Sequence, residues 1–149
     1  MRIARLQHLR QVEKEVSPQL CVSVLFTDVP STLKALAKAG HLAVGLKASI
    51  DVIAPVVVPY PLPVGETPVN EKHLVRRLRT IACGMSVPTR INLVYCRDRS
   101  DAIRSLLKPD TVLVMAWKKR LLFDRTLRLA NELRRDGYHV ITVDETRGA

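Results

Sequence analysis

Several features that would narrow the function of this chain are missing from its sequence. No apolar run approaches the roughly 20 residues that a membrane-spanning helix needs. The most apolar window, 50–64, is broken by Asp51 and by prolines. The basic N-terminus lacks the apolar core and small-residue cleavage site of a secretory leader. We therefore expect a cytoplasmic protein without a transmembrane segment.

The cysteine and histidine patterns carry no metal or disulfide signature. The three cysteines include no CxxC pair, and Cys21 and Cys96 fall in apolar, strand-like runs. Because a free cysteine behaves as a small hydrophobe, we predict buried, reduced thiols. The four histidines are far apart and have no metal-ligand spacing, so no metal site is predicted.

Aromatic residues are scarce, at 4%, whereas positive charge is abundant, with a formal net charge of +10 and a pI near 10.1. Such a charge attracts nucleic acid, an anionic membrane surface or a phosphorylated ligand. No aromatic residue interleaves with the basic clusters as a base-stacking platform requires, and no nucleic-acid-binding motif is visible. Specific recognition of nucleic acid is therefore not predicted, and solvated helix faces account for most of the basic residues.

Apolar patterning predicts an alternation of strands and helices along the chain. Continuous apolar runs predict five strands, at 20–26, 50–54, 90–96, 111–117 and 139–144. Apolar residues at helical spacing predict four helices between them. Pro55 is expected to end the regular part of the second strand, because proline removes a ladder hydrogen bond. Alternation at this period indicates one α/β domain, a three-layer sandwich around a five-stranded parallel sheet.

The N-terminal segment differs from the rest of the chain. Ile3, Leu6, Leu9 and Val12 recur at three-residue spacing among basic residues, which predicts a short amphipathic helix or a frayed extension. This extension, residues 1–18, could dock on the domain, cover a sheet edge, contact a partner or lie on a membrane surface. The α/β domain is assigned to 19–146 and a tail to 147–149.

Asp28 follows the first predicted strand and precedes the first helix. In open parallel sheets ligands bind outside the carboxyl ends of the strands, so Asp28 is the first candidate for a small-molecule site. An aspartate at this position can equally cap the helix, where a carboxylate accepts from free backbone N–H groups. Both roles remain open, and one residue can fill both.

Three stretches together resemble the universal stress protein family. They are the first strand ending at Asp28 with its alanine- and leucine-rich helix, the run IDVIAPVVVP, and the run RDRSDAIRSLLKPDTVLVMA. The resemblance covers about 20–144 and implies the strand order 3-2-1-4-5, counting predicted strands. In ATP-binding members, an aspartate similar in position to Asp28 holds the nucleoside. Backbone near Val57 would meet the adenine, and a glycine-rich segment after the fourth strand would cradle the phosphates.

The chain departs from that family pattern at the phosphate segment. No glycine occurs between Ala116 and Asp124, and Arg97 stands where many relatives have glycine. Either the nucleotide site is degenerate, with Trp117 filling the cleft, or basic side chains replace the glycine loop. The candidate residues for ATP, a related nucleotide or another phosphorylated ligand are Thr27, Asp28, Val57, Arg97, Met115, Ala116, Lys118, Lys119 and Arg120.

The resemblance implies a non-catalytic regulatory or stress-response domain. No nucleophile has a plausible base and no carboxylate pair is visible, although Cys96 beside Asp98 could be a reactive thiol. The last predicted strand should form a sheet edge, which must be paired or covered. Universal stress proteins commonly pair through that edge, so we expect a homodimer through Val140, Ile141, Thr142 and Val143. A partner protein, or unspecific attraction to nucleic acid, are the remaining partner hypotheses.

Overall fold

The computed structural model describes residues 2–6, 20–61, 71–117 and 125–144. The strands are β1 (Arg2–Leu6), β2 (Cys21–Leu25), β3 (Ser49–Val57), β4 (Thr89–Cys96), β5 (Val112–Trp117) and β6 (His139–Asp144). The helices are α1 (Val29–Leu46), α2 (Glu71–Cys83), α3 (Arg99–Leu106) and α4 (Arg125–Arg135). The described part of the chain therefore has the alternating strands and helices that the apolar pattern predicts.

The strands form one six-stranded sheet with the order β1-β4-β3-β2-β5-β6. The five strands β2 to β6 are parallel to one another, and β2 lies at their centre between β3 and β5. Counted from β2, their order is 3-2-1-4-5, which confirms the predicted fold class. The central strands are buried on both faces, as their continuous apolar runs indicate.

The N-terminal segment has a different secondary structure from the one that its sequence predicts. Residues Arg2–Leu6 form an edge strand, antiparallel to β4, and not the predicted amphipathic helix. Without β1, the outer backbone groups of β4 would form an open edge, and pairing these groups outweighs a weak local helical pattern. The rest of the predicted extension, Met1 and residues 7–18, lies outside the described residues. The division into extension, domain and tail stays a prediction.

The helices cover the sheet in two layers. Helices α1 and α2 pack on one face, with Ala35, Leu36 and Leu78 in the larger core cluster. Helices α3 and α4 pack on the other face around Ile103, Leu129 and Leu133, which are also buried. This division follows from right-handed crossovers, because the chain moves from β2 toward β4 on one side of the centre and from β5 to β6 on the other.

Strand β3 is longer than the sequence analysis expected. It continues regularly past Ala54 through Pro55 to Val57, and Pro55 is in register with Val94 of β4. The amide of Phe26 donates to the carbonyl of Ile53, so Ile53 and Pro55, two residues later, turn their backbone groups toward the β2 side. Strand β2 ends at this level, so no ladder hydrogen bond is lost at the proline.

Candidate functional site

The carboxyl ends of β2 and β5 mark the point where the chain direction through the sheet reverses. From β2 the chain crosses to β3 and β4 on one side, whereas β5 and β6 lie on the other side. Crevices for ligands in open α/β sheets form at such a switch point. The predicted ligand residues Thr27 and Asp28 follow the end of β2 after one intervening residue, and Met115 and Ala116 lie in the neighbouring β5.

Asp28 is the N-cap of α1. Its Oδ1 accepts a hydrogen bond from the Ser31 amide at 3.0 Å, and its Oδ2 accepts one from the Ser31 hydroxyl at 3.0 Å. Ser31 is buried, and Pro30 stands in the first helical turn, where its missing N–H is no loss. The capping alternative is therefore confirmed for Asp28, and both carboxylate oxygens are engaged within the first turn of the helix.

The backbone amide of Thr27 is hydrogen-bonded, whereas its side-chain hydroxyl is not. Its amide donates to the hydroxyl of Thr32 at 3.2 Å, which extends the capping of α1 by one residue. Its own Oγ1 is buried and makes no hydrogen bond in the structure. A buried hydroxyl without a partner is costly, so this oxygen is a group that a polar ligand atom would satisfy.

Val57 and Arg97 come together at the ends of β3 and β4. Val57 is in register with Cys96, and its side chain is 50% exposed. Nη1 of Arg97 donates to the Val58 carbonyl at 2.8 Å, and its guanidinium lies 4.2 Å from the ring centroid of Tyr60. The guanidinium thus ties the start of the proline-rich loop to the end of β4. Tyr60 was not among the predicted site residues, since no local pattern pairs an aromatic ring with an arginine 37 positions away.

The predicted residues of β5 present no side chains to a ligand. Met115 is 0% exposed and Ala116 2% exposed, because their side chains belong to the core clusters on opposite faces of the sheet. Only their backbone could meet a bound molecule. Trp117, the last residue of β5, is half-buried. The predicted phosphate residues Lys118, Lys119 and Arg120 lie outside the described residues.

Electrostatics near the end of β4 disfavour a reactive thiol. Cys96 is buried, and its Sγ donates to the Val56 carbonyl at 3.7 Å. Burial, and then the charge of Asp98, raise the pKa of the Cys96 thiol above its ordinary value. Burial lowers the pKa of Arg99, whose Nη2 has no hydrogen-bond partner. Since the thiolate is the nucleophile, the raised pKa weakens the reactive-thiol alternative.

The cysteines are not all buried. Cys21 is half-buried, and burial followed by the charge of Asp51 raises its pKa to about 12. Cys83, at the end of α2, is exposed, which corrects the expectation of a buried thiol there. It lies on the outer side of an amphipathic helix, whereas Cys21 and Cys96 lie in strands of the central sheet.

The predicted dimer edge lies at the end of the sheet, as expected, because β6 pairs only with β5 in the described sheet. Val140 is buried, and Ile141, Thr142 and Val143 are half-buried. The Val140 carbonyl accepts two hydrogen bonds from Arg134 of α4, at 3.2 Å from Nε and 3.0 Å from Nη2. Arg134 also reaches the hydroxyl of Thr142 at 3.5 Å. A side chain of this protein therefore occupies one acceptor of the edge strand.

The sequence matches no protein-family model and no curated protein sequence. A solved universal stress protein from Archaeoglobus fulgidus is similar at 13% identity, with a TM-score of 0.57 over 83% of this chain and 92% of the other. The fold is that of the universal stress proteins.

A second structure with this fold is a universal stress protein in complex with cAMP. It is 19% identical, with a TM-score of 0.53 over 87% of this chain and 99% of the other. At these identities the likeness establishes the universal-stress-protein fold, and the site must be judged from the residues themselves. In the described part of the chain no group of His, Cys, Asp and Glu side chains could hold a metal ion. Nor is any described helix long and apolar enough to cross a bilayer.

Proposed function

We propose that this chain is a non-catalytic regulatory domain of the universal-stress-protein type, with an altered nucleotide site. The observation that carries the proposal is the double engagement of Asp28 by Ser31. A carboxylate that accepts from both the amide and the hydroxyl of Ser31 has less capacity left for a nucleoside hydroxyl. The sequence between Ala116 and Asp124 adds support, because it offers no glycine for a backbone phosphate cradle.

The experiment is to measure nucleotide content after purification. The protein is denatured, the precipitate is removed, and the supernatant is examined by absorbance and mass spectrometry. The proposal expects no stoichiometric adenine nucleotide and no thermal stabilisation when ATP or cAMP is added. A bound nucleotide in equal amount to protein would refute the altered site, since a ligand that binds only the native state raises its stability.

The second candidate function is binding of ATP, another nucleotide or a phosphorylated ligand at the switch point. The observation that favours it is the buried, unpartnered Oγ1 of Thr27 beside Asp28. The cAMP complex of a protein with the same fold is consistent with it. In this version Asp28 would both cap α1 and contact the ligand, and Lys118, Lys119 and Arg120 would supply positive charge. Loss of nucleotide binding on combined Lys119→Ala and Arg120→Ala substitution, with unchanged unfolding, would support it.

The proposal also includes a homodimer through β6. An exposed edge strand with half-buried apolar side chains favours pairing with a second copy. Because Arg134 occupies the Val140 carbonyl, a partner strand would begin its hydrogen bonds beyond Val140. Light scattering at micromolar concentration tests this part, and a monomer there would remove it without affecting the nucleotide question.

A further inference from the structure

Helix α1 carries an apolar stripe on its outer side as well as on its inner side. Its inner residues Ala35, Leu36 and Ala39 are buried against the sheet. On the outer side Leu33 is 49% exposed and Val44 is 65% exposed, with Ala37 exposed between them at helical spacing. A surface helix ordinarily opposes its buried stripe with polar residues. The outer stripe of α1 is therefore a feature that folding of the domain does not explain.

Helix α2 places arginines on the same side of the sheet. Arg76, Arg77 and Arg79 are exposed, and no salt bridge among the described residues involves any of them. The inner residues of both helices belong to the same core cluster, and a Cβ built on Gly40 of α1 would lie 3.4 Å from Cε of Met85, two residues after α2. The apolar stripe and the arginines thus belong to one face of the molecule. We name Leu33, Ala37, Val44, Arg76, Arg77 and Arg79 the α1/α2 face.

Acidic residues are nearly absent from these two helices. Helix α1 contains none, and α2 contains only Glu71 in its first turn. On the opposite face of the sheet the basic residues are partly neutralised, because Arg104 pairs with Asp136 at 2.8 Å and Arg128 with Glu132 at 3.4 Å. The uncompensated positive charge of the described helices is therefore concentrated on the face that also exposes aliphatic side chains.

We propose that the α1/α2 face docks on an anionic phospholipid surface. Arginines beside aliphatic side chains match the two layers of such a surface, the anionic headgroups and the acyl boundary beneath them. Duplex nucleic acid would use the arginines but would leave Leu33 and Val44 against phosphates. A second copy of the same face would bring like charges together.

The test uses the full chain and vesicles of phosphatidylcholine, alone or with about 30% phosphatidylserine, in flotation and titration assays at about 0.1 M salt. Binding is expected only with phosphatidylserine. The variant Arg76→Gln/Arg77→Gln/Arg79→Gln should bind about a hundredfold more weakly, since each basic residue near such a surface contributes about fivefold. The matched control is Arg125→Gln/Arg128→Gln/Arg135→Gln on α4, which removes the same charge from the opposite face and should retain most of the binding.

A second pair of substitutions separates lipid docking from general attraction to polyanions. Leu33→Gln with Val44→Gln should weaken vesicle binding about tenfold, because aliphatic burial contributes to interfacial affinity. Both side chains are exposed, so folding, followed by circular dichroism, should be unchanged. Equal losses in the two arginine variants would overturn the assignment to this face. Absence of binding to the anionic vesicles, or tighter binding to duplex DNA with no effect of the aliphatic pair, would overturn the lipid proposal itself.

Discussion

Removal of the Asp28 carboxylate is the most informative single perturbation of this domain. Substitution Asp28→Ala deletes the acceptors of the Ser31 amide and the Ser31 hydroxyl, both 3.0 Å away. Loss of an N-cap costs about 1 kcal/mol. Ser31 is 1% exposed, so its hydroxyl is left buried without this partner, which costs roughly another 1 kcal/mol. We therefore expect a loss of about 2 kcal/mol in the free energy of unfolding, or roughly 4–8 °C in Tm.

Two further variants make that measurement specific. Asp28→Asn keeps an acceptor for the Ser31 amide but removes the charge at the helix N-terminus. It also replaces the oxygen that accepts from the Ser31 hydroxyl with an NH2 group, which can donate to that hydroxyl instead, so the substitution should cost about 0.5 kcal/mol. Asp110→Ala removes an exposed carboxylate in the turn before β5 and should change stability by less than about 0.5 kcal/mol. Urea unfolding of the three variants, followed by circular dichroism, gives the comparison.

The result that would refute the capping account is equal stability of Asp28→Ala and the unmodified protein. In that case the hydrogen bonds to Ser31 would contribute nothing measurable, and a role for Asp28 in ligand contact would become the better explanation. A loss of about 2 kcal/mol combined with unchanged behaviour toward ATP would favour the altered site. A loss accompanied by the disappearance of nucleotide binding would assign both roles to the residue.

Four other outcomes follow from the same structure. Arg134→Ala frees the Val140 carbonyl and should tighten self-association through β6, so the dimer dissociation constant measured by sedimentation should fall. An unchanged or higher dissociation constant would contradict this. Iodoacetamide should modify the exposed Cys83 first and Cys96 last, and modification of Cys96 at the rate of Cys83 in the native protein would count against its burial. Since the pKa of Cys21 is raised from 9.0 to about 12, the folded state keeps its thiol protonated where the unfolded chain ionises. Stability should therefore fall as pH rises from 9.0 toward 12, and a Cys21→Ala variant should lose that part of the dependence. Deletion of β1 should open the outer edge of β4 and promote aggregation, detectable by light scattering, whereas a monodisperse truncated protein would show that β1 is dispensable.

The sequence predicts where the candidate site residues lie along the strands, but not their contacts or their burial. Asp28 could be placed at the end of the central strand, because an apolar run followed by Pro30 and helical spacing marks that junction. Its hydrogen bonds to Ser31 show the capping role, one of the two roles that its position alone left open. Met115 and Ala116 could be placed beside β2, but their complete burial was set by the packing of helices on both faces.

What the sequence by itself determined is the parallel core of the molecule. The side chains of a long apolar run are all buried only where the strand is covered on both faces. Because these runs alternate with amphipathic helices, a parallel sheet with helices on both faces is the arrangement that buries them. These signals are local, since each depends on residues within one element. The tertiary structure alone decided the rest: β1 as an edge strand, the regular passage of β3 through Pro55, the contact of Arg97 with Tyr60, and Arg134 over the edge of β6. Each of these depends on backbone or side-chain groups brought together from distant positions, and the free energy of such pairing has no counterpart in the local pattern of either partner.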